Sequence, residues 1–236
     1  MRFRVIAADY DGTLAKDGRV DQKTLQVLAS VRDSGRKLLL VTGRELESLR
    51  SVFPQLGRFD LIVAENGALL YHPSTGEERV LGKGAPAAFV EMLRRSGANS
   101  LSVGRSIVAT VKPHEAEVYQ AIEELGLNLQ IILNRESVMV LPVGVDKATG
   151  FRAAMAELHL PLVSAVGIGD AENDYAFLSL CGFSVAVGNA IPSLKERVDL
   201  VTSGKAGAGV VEVLRKILAS EDSIQPVRLP PKKHKG

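Results

Sequence analysis

Two hydrophobic periods alternate along most of the chain. Short apolar runs of strand length, such as residues 3–8 and 37–41, are separated by stretches in which apolar residues recur every three or four positions, as in amphipathic helices. Asp21 precedes the first helical stretch and Gly35 follows it, and these residue types cap helix starts and helix ends. The alternation predicts βα units, and therefore an α/β fold built on a doubly wound, Rossmann-like parallel sheet.

The same pattern gives approximate bounds for the elements of this sheet. We predict strands over residues 3–8, 37–41, 60–64, 68–71, 164–168, 183–187 and 199–202. We predict helices over residues 21–34, 45–53, 147–158, 172–180 and 209–218.

The rhythm changes over residues 82–144, hereafter the insert. There the sequence predicts a helix (86–95), a β-rich stretch (100–111), a second helix (113–125) and two strands (129–133 and 137–141), which is an α+β pattern. The predicted organisation is a doubly wound core of residues 1–81 and 145–220, interrupted by an inserted α+β domain at residues 82–144. Residues 221–236 are predicted to be a disordered, basic tail.

Composition and charge exclude several classes of protein. With 46% hydrophobic and 24% charged residues, the chain is globular rather than disordered. The net charge of +2 lies in the tail, so the positive and negative charges of the rest of the chain cancel. This balance argues against a nucleic-acid partner, and so does the low aromatic content of 5% with no Trp. The early apolar run stops at Asp9, which excludes a membrane span. A lone cysteine, Cys181, excludes an intrachain disulfide and fits a reducing compartment, so we expect a cytoplasmic protein. We expect the protein to be a monomer or a homodimer.

Polar residues that could take part in catalysis or ligand binding follow the predicted strands. Because parallel strands end at one edge of the sheet, we expect these side chains to converge there. They are Asp9 and Asp11, Thr42 and Gly43, then Asp170, Asn173 and Asp174, with Lys147 opening the helix that follows the insert. Converging carboxylates repel one another, and a bound divalent cation relieves the repulsion; oxygen ligands suit Mg²⁺. Glu65 and Asn66 also follow a strand, and we expect them only to shape a turn.

This set of groups suits phosphoryl transfer. A carboxylate attacks phosphorus while a metal ion draws charge from the phosphoryl oxygens, and a second carboxyl group protonates the leaving alkoxide. A hydroxyl, backbone amides and a lysine bind the phosphoryl oxygens.

The motifs resemble those of the haloacid dehalogenase-like (HAD) superfamily. The similar segments are Asp9-Tyr10-Asp11-Gly12-Thr13-Leu14, Thr42-Gly43-Arg44, Lys147, and Gly169-Asp170 followed after two residues by Asn173-Asp174. With the insert between the second and third motifs, the chain is similar to the Cof-type, class IIB phosphatases, which include sugar phosphatases and phosphoglycolate phosphatases.

The resemblance implies a role for each matching residue. Asp9 would be the nucleophile and Asp11 the general acid/base. Asp9, the backbone carbonyl of Asp11, and Asp170 would bind Mg²⁺, with Asp174 as a direct or indirect ligand. The implied phosphate-binding residues are Thr42, Gly43, Lys147 and Asn173.

Other functions compete with this hypothesis. A phosphomutase of the same superfamily shares the first half-reaction. A phospho-accepting receiver module shares the acidic pair, the threonine and the lysine, but it needs an aspartate after the third strand, where this chain has Ala64-Glu65. A catalytically idle interaction module is disfavoured because every catalytic position is filled.

The substrate is expected to be a small phosphorylated metabolite, either a sugar phosphate or phosphoglycolate. In this architecture the insert covers the phosphate site and selects the leaving group. We expect the selecting groups to lie around residues 104–106 and 134–136, which offer guanidinium and amide groups.

Overall fold

The computed structural model describes residues 2–220, so the predicted tail at residues 221–236 lies outside the described part. The strands in this part are β1 (Val5–Ala8), β2 (Lys37–Val41), β3 (Leu61–Ala64), β4 (Leu69–Tyr71), β5 (Glu78–Val80), β6 (Ser102–Val103), β7 (Val108–Val111), β8 (Leu129–Asn134), β9 (Ser137–Pro142), β10 (Ala165–Gly169), β11 (Phe183–Ala186) and β12 (Leu200–Val201). The α-helices are α1 (Gln22–Asp33), α2 (Leu46–Val52), α3 (Ala87–Arg95), α4 (Glu115–Glu124), α5 (Lys147–Glu157), α6 (Tyr175–Leu178), α7 (Pro192–Lys195) and α8 (Gly207–Ala219).

The core is a large sheet with the strand order β12-β11-β10-β1-β2-β3-β4-β5. From β12 to β3 every pairing is parallel, whereas β4 and β5 pair antiparallel at one edge. The reversal before β4 is a tight turn at Glu65–Gly67, where all three residues have positive φ. So short a connection can join only antiparallel strands. The α/β prediction is confirmed, with a mixed rather than wholly parallel sheet.

Helices cover both faces of this sheet, as a doubly wound fold requires. Alternate residues of β1 face opposite ways: Ile6 packs in a cluster with residues of α1, α2 and α8. Val5 packs instead in a cluster with residues of α5, α6 and α7. Because both faces of β1 are buried, its sequence is a continuous apolar run rather than an alternating one.

The insert forms a second, antiparallel sheet in the order β6-β7-β9-β8. Helices α3 and α4 cover one face of it, where Phe89, Leu93 and Val118 are fully buried. A smaller cluster on the insert includes Ile107 and Met139 and extends to Ala68 of the core. The predicted α+β content of residues 82–144 is therefore confirmed.

Two predictions about elements were wrong in detail. The helix expected over residues 172–180 is a 3₁₀ turn (Glu172–Asp174) followed by the single-turn α6. The Asp174 carboxylate accepts hydrogen bonds from the backbone amides of Asp170 and Ala171, which holds this segment as a tight turn. The edge strand β5 was not predicted, because its exposed, charged residues lack an apolar signal.

Candidate active site

The residues predicted to converge at the strand ends do so. Strand β1 lies between β10 and β2, so Asp9, Asp170 and Thr42 follow three neighbouring parallel strands. All three residues are buried. We call this end of the sheet the carboxyl edge.

Three aspartates form a buried cluster at the carboxyl edge. One carboxylate oxygen from each of Asp9, Asp170 and Asp174 lies within 4.8 Å of the others. The Thr13 hydroxyl donates a hydrogen bond to Asp170 Oδ1 at 3.0 Å. The sequence alone placed these aspartates on separate motifs, and the fold brings them into one group.

Lys147 inserts its ammonium group into this cluster. Its Nζ donates hydrogen bonds to Asp9 Oδ1 at 2.6 Å and to Asp174 Oδ1 at 2.5 Å, and the side chain is 1% exposed. The lysine is placed by the start of α5, whose N-cap Asp146 accepts a hydrogen bond from the Thr149 amide. Burial disfavours the charged ammonium, but the two carboxylates outweigh burial and raise the pKa of Lys147.

The cluster carries more negative than positive charge, and this is the property a cation site needs. Burial raises the pKa of Asp9 well above its usual value, and Asp174 and Asp170 add to the increase against the opposing effect of Lys147. Burial and Asp174 likewise raise the pKa of Asp170 to about 6. Three buried carboxylates face two cationic groups, the Lys147 ammonium and the Arg135 guanidinium, and this remaining excess of negative charge fits a divalent cation bound by oxygen ligands.

Asp174 is tied to the protein through both of its oxygens. Besides the contact of Oδ1 with Lys147, Oδ2 accepts the amides of Asp170 and Ala171 at 2.8 and 3.0 Å. This arrangement orients the Asp170 loop and the lysine together.

The carboxylate of Asp11 is not one of the three that form the aspartate cluster. Its carboxylate receives two hydrogen bonds from Arg44, at 2.6 Å from Nε and 2.8 Å from Nη2, and its side chain is 47% exposed. Arg44 also lies over the Tyr10 ring, 5.6 Å from the ring centroid. The sequence favoured equally an ion pair of Arg44 with Glu45 or Glu47 and a contact with substrate; its partner is instead Asp11, 33 residues earlier in the chain.

Two of the remaining predicted residues line a cleft of about 560 Å³ between the core and the insert. Gly43 and Asn173 line it, together with Asp9 and Asp11. The hydroxyl of the buried Thr42 accepts a hydrogen bond from the Arg44 amide at 3.1 Å. Asn173 Nδ2 donates to Asn66 Oδ1 at 2.9 Å, while its Oδ1 is buried without a hydrogen-bond partner.

One of the two segments expected to face the cleft does so. Asn134, Arg135 and Glu136, at the β8–β9 turn, line it. The segment around residues 104–106 does not carry a side chain into the cleft. Arg105 instead forms ion pairs with Glu78 and Glu47 of the core.

The expectation that Glu65 only shapes a turn was wrong. Its buried carboxylate accepts the backbone amides of Arg105, Ser106 and Ile107 at 2.7–3.0 Å, and so joins the core to the insert. Gly104 is needed beside it, since a Cβ there would collide with the carboxylate. An acidic residue at the end of a buried strand was the signal available in the sequence.

Within residues 2–220, no helix has the length and apolar character needed to cross a membrane.

The mixed α/β sheet, the insert and the buried carboxylates at the strand ends together make the carboxyl edge the candidate active site. The sequence matches the family described as haloacid dehalogenase-like hydrolase over residues 6–124 and 107–214. The chain belongs to this family and is a phosphatase of the HAD type.

Similar proteins cover almost the whole chain. It is 34% identical to Phosphoglycolate phosphatase 2 of Saccharolobus solfataricus, covering 91% of this chain and 92% of that one. It is 28% identical to Phosphoglycolate phosphatase of Methanothermobacter thermautotrophicus, covering 92% and 99%.

Solved structures share the fold. A haloacid dehalogenase-like hydrolase from Bacteroides thetaiotaomicron has a TM-score of 0.74 at 19% identity, covering 91% of this chain and 99% of the other. A HAD subclass IIB sugar phosphatase has a TM-score of 0.72 at 18% identity, covering 91% and 98%.

Proposed function

We propose that this protein is a magnesium-dependent phosphomonoester hydrolase that acts on a small phosphorylated metabolite through an aspartyl-phosphate intermediate on Asp9. The observation that carries the proposal is the placement of Asp9. Its carboxylate is buried, contacts Lys147 through Oδ1, lies in a cluster with two further aspartates and lines the cleft.

In the proposed first step, Asp9 attacks phosphorus and the bond from phosphorus to the ester oxygen breaks. The hydrogen bond from Lys147 fixes one carboxylate oxygen of Asp9, which leaves the other oxygen for the attack. Asp11 gives its proton to the departing alkoxide. In the second step Asp11 takes a proton from water, which attacks the aspartyl phosphate and releases phosphate and Asp9.

We propose that Asp9, Asp170 and the backbone carbonyl of Asp11 hold Mg²⁺, with Asp174 beside them. The bound ion would neutralise charge on the phosphoryl oxygens. The excess of buried carboxylate charge in the described residues supports this assignment.

The proposed phosphate-binding residues are Thr42, Gly43, Lys147 and Asn173. The Thr42 hydroxyl accepts the Arg44 amide and so keeps its own proton available to donate. Lys147 supplies positive charge next to Asp9. A Cβ on Gly43 would lie 3.6 Å from Asn173 Nδ2, so the glycine amide and this side chain share one wall of the cleft.

We further propose that residues 82–144 act as a cap domain on a core of residues 1–81 and 145–220. The insert has its own sheet and its own buried cluster around Phe89 and Val118. Its ends are adjacent, since a Cβ on Gly82 would lie 2.9 Å from Val145 Cγ2. Adjacent ends at the surface are typical of domain insertions.

The size of the cleft and the names of the relatives support the proposed substrate class. A cleft of about 560 Å³ suits a small ester, and relatives at about 30% identity are named phosphoglycolate phosphatases. We propose phosphoglycolate or a sugar phosphate as the substrate.

The test is phosphate release from a panel of phosphomonoesters with MgCl₂, comparing the parent with Asp9→Asn. An amide cannot attack phosphorus, so we expect a loss of turnover of at least about a thousandfold. Asp33→Asn, an exposed change at the end of α1, serves as the control and should retain parent activity. Asp9→Asn turnover within tenfold of the parent would contradict the nucleophile assignment.

A further inference from the structure

Arg135 reaches from the insert into the aspartate cluster. It lies at the turn between β8 and β9, with a positive φ of 53°, and its guanidinium is ion-paired with the carboxylate of Asp170. The Asp170 side chain is fully buried, whereas Arg135 is 53% exposed. The arginine therefore covers the mouth of the cluster from the solvent side.

This ion pair competes with metal binding. Thr13 already donates to Asp170 Oδ1, so Arg135 takes the second oxygen, Oδ2. A cation held by Asp9 and Asp170 would place a second positive charge beside the guanidinium, at the low effective dielectric of a buried site. The Arg135–Asp170 pair and a bound divalent cation therefore disfavour each other.

The other cations near Asp9 and Asp11 have less freedom to change partners. Lys147 is buried between two carboxylates. Arg44 holds Asp11 through two hydrogen bonds and also contacts Ser48. Of the insert residues that line the cleft in the described chain, Arg135 is the one cation.

We propose that Arg135 is a specificity-determining residue with two alternative partners. In the metal-free protein it pairs with Asp170. When Mg²⁺ occupies the cluster, Arg135 is released to bind a carboxylate on the leaving group of the substrate. The inference rests on the proposed function and narrows its substrate to phosphomonoesters with an anionic leaving group.

The geometry of phosphoryl transfer places the leaving group near this arginine. Attack by Asp9 and departure of the ester oxygen occur roughly in line, so the leaving group points away from the carboxyl edge. The insert covers that side of the cleft, and the β8–β9 turn lines it. A guanidinium fork fits a carboxylate better than it fits the hydroxyl of a neutral alcohol.

The first arm of the test measures Mg²⁺ binding without substrate. MgCl₂ is titrated into the parent, Arg135→Gln and the control Arg95→Gln, an exposed change on α3, by isothermal calorimetry. Removing the competing cation should tighten Mg²⁺ binding about threefold to tenfold in Arg135→Gln alone. Equal Mg²⁺ affinity in all three proteins overturns the proposal.

The second arm measures discrimination between two esters of similar size, 2-phosphoglycolate and 2-hydroxyethyl phosphate. Loss of the guanidinium–carboxylate contact should lower the kcat/KM ratio of the first ester to the second by about tenfold to a hundredfold in Arg135→Gln. Arg135→Lys, which keeps the charge without the fork, should show a smaller loss. Activity of the control Arg95→Gln on both esters should stay within about threefold of the parent.

The outcomes separate this inference from the proposed function. An unchanged ratio in a folded, active Arg135→Gln protein overturns the proposal, even if Mg²⁺ binds more tightly. Failure of the proposed function has another signature, because the parent itself then releases phosphate from neither ester.

Discussion

Lys147 allows the strictest test of the electrostatic description of the site. We consider Lys147→Met, which conserves most of the side-chain volume and removes the charge. Core packing is then little changed, so the variant isolates the effect of the ammonium group on Asp9 and Asp174.

The expected loss of stability follows from burial. Both ion pairs of Lys147 are short, at 2.6 and 2.5 Å, and the side chains involved are at most 7% exposed. Removing one partner of a buried pair leaves uncompensated charge and costs about 3–5 kcal/mol. For a chain of this length each kcal/mol lowers Tm by about 2–4 °C, so Tm should fall by about 6–20 °C.

The pH dependence of this loss has a definite sign. Without the ammonium group, the folded-state pKa of Asp9, which burial already raises, rises further above its unfolded value of about 3.9. Protonation relieves the repulsion, so the penalty is absent below the unfolded pKa and grows as the pH rises through the folded pKa. The difference in Tm between variant and parent should therefore be larger at pH 8 than at pH 5.

The assay is thermal and urea unfolding in EDTA, with Lys37→Met as the control. Lys37 pairs with Asp60 at 2.9 Å, but it is 49% exposed, and such surface pairs contribute about 0–1 kcal/mol. Adding MgCl₂ should restore part of the stability of Lys147→Met, because the cation replaces the missing positive charge. A loss below about 1 kcal/mol at pH 8, equal to that of the control, would refute the reasoning.

Three further predictions concern the same site. Gly12→Ala should lower Mg²⁺ affinity at least about tenfold in calorimetric titrations, because a Cβ at this position, where φ is +81°, would collide with the Asp170 carboxylate. In the control Gly35→Ala, φ is +83° but the space is open, so the change should cause backbone strain only and leave Mg²⁺ binding unchanged. Mg²⁺ at a hundred times its Kd should stabilise the parent by about 2.7 kcal/mol. The apparent Mg²⁺ affinity should weaken as the pH falls through about 6, because a proton on Asp170 competes with the ion. A Mg²⁺ affinity that does not change between pH 5 and pH 8 would contradict this. Glu65→Gln should lower the free energy of unfolding in urea by about 1–3 kcal/mol, because the Glu65 carboxylate accepts hydrogen bonds from three backbone amides of the insert. The control Glu91→Gln, an exposed change, should match the parent.

The core and its aspartate cluster were predictable because their signals are local. The parallel strands β1, β2 and β10 are buried apolar runs in the sequence, and the polar residues directly after each of them must lie at the carboxyl edge. Asp9 and Asp170 follow neighbouring strands, so their approach required only the correct strand order. The capping role of Asp146 likewise follows from one turn of chain.

The contacts between the core and the insert were not predictable in this way. Glu65 binds amides 40 to 42 residues further along the chain, and nothing near it in sequence identifies that partner. Arg105 carries the guanidinium expected in the cleft, yet Glu78 and Glu47 draw it to the outer surface. Sequence reasoning identified the residue types but could not choose among their possible partners.

This difference bears on how substrate selectivity arises in the molecule. The core fixes Asp9, the proposed nucleophile, and its partner Lys147 through a strand end and a helix start, so their positions do not depend on the insert. The position of the β8–β9 turn over the cleft depends instead on the contacts that hold the insert against the core. One of these contacts is made by the buried carboxylate of Glu65. We therefore expect a change at Glu65 to alter which leaving groups are accepted more than it alters the proposed attack by Asp9. The reason is that the side-chain hydrogen bonds of Glu65 go to the insert and not to the aspartate cluster.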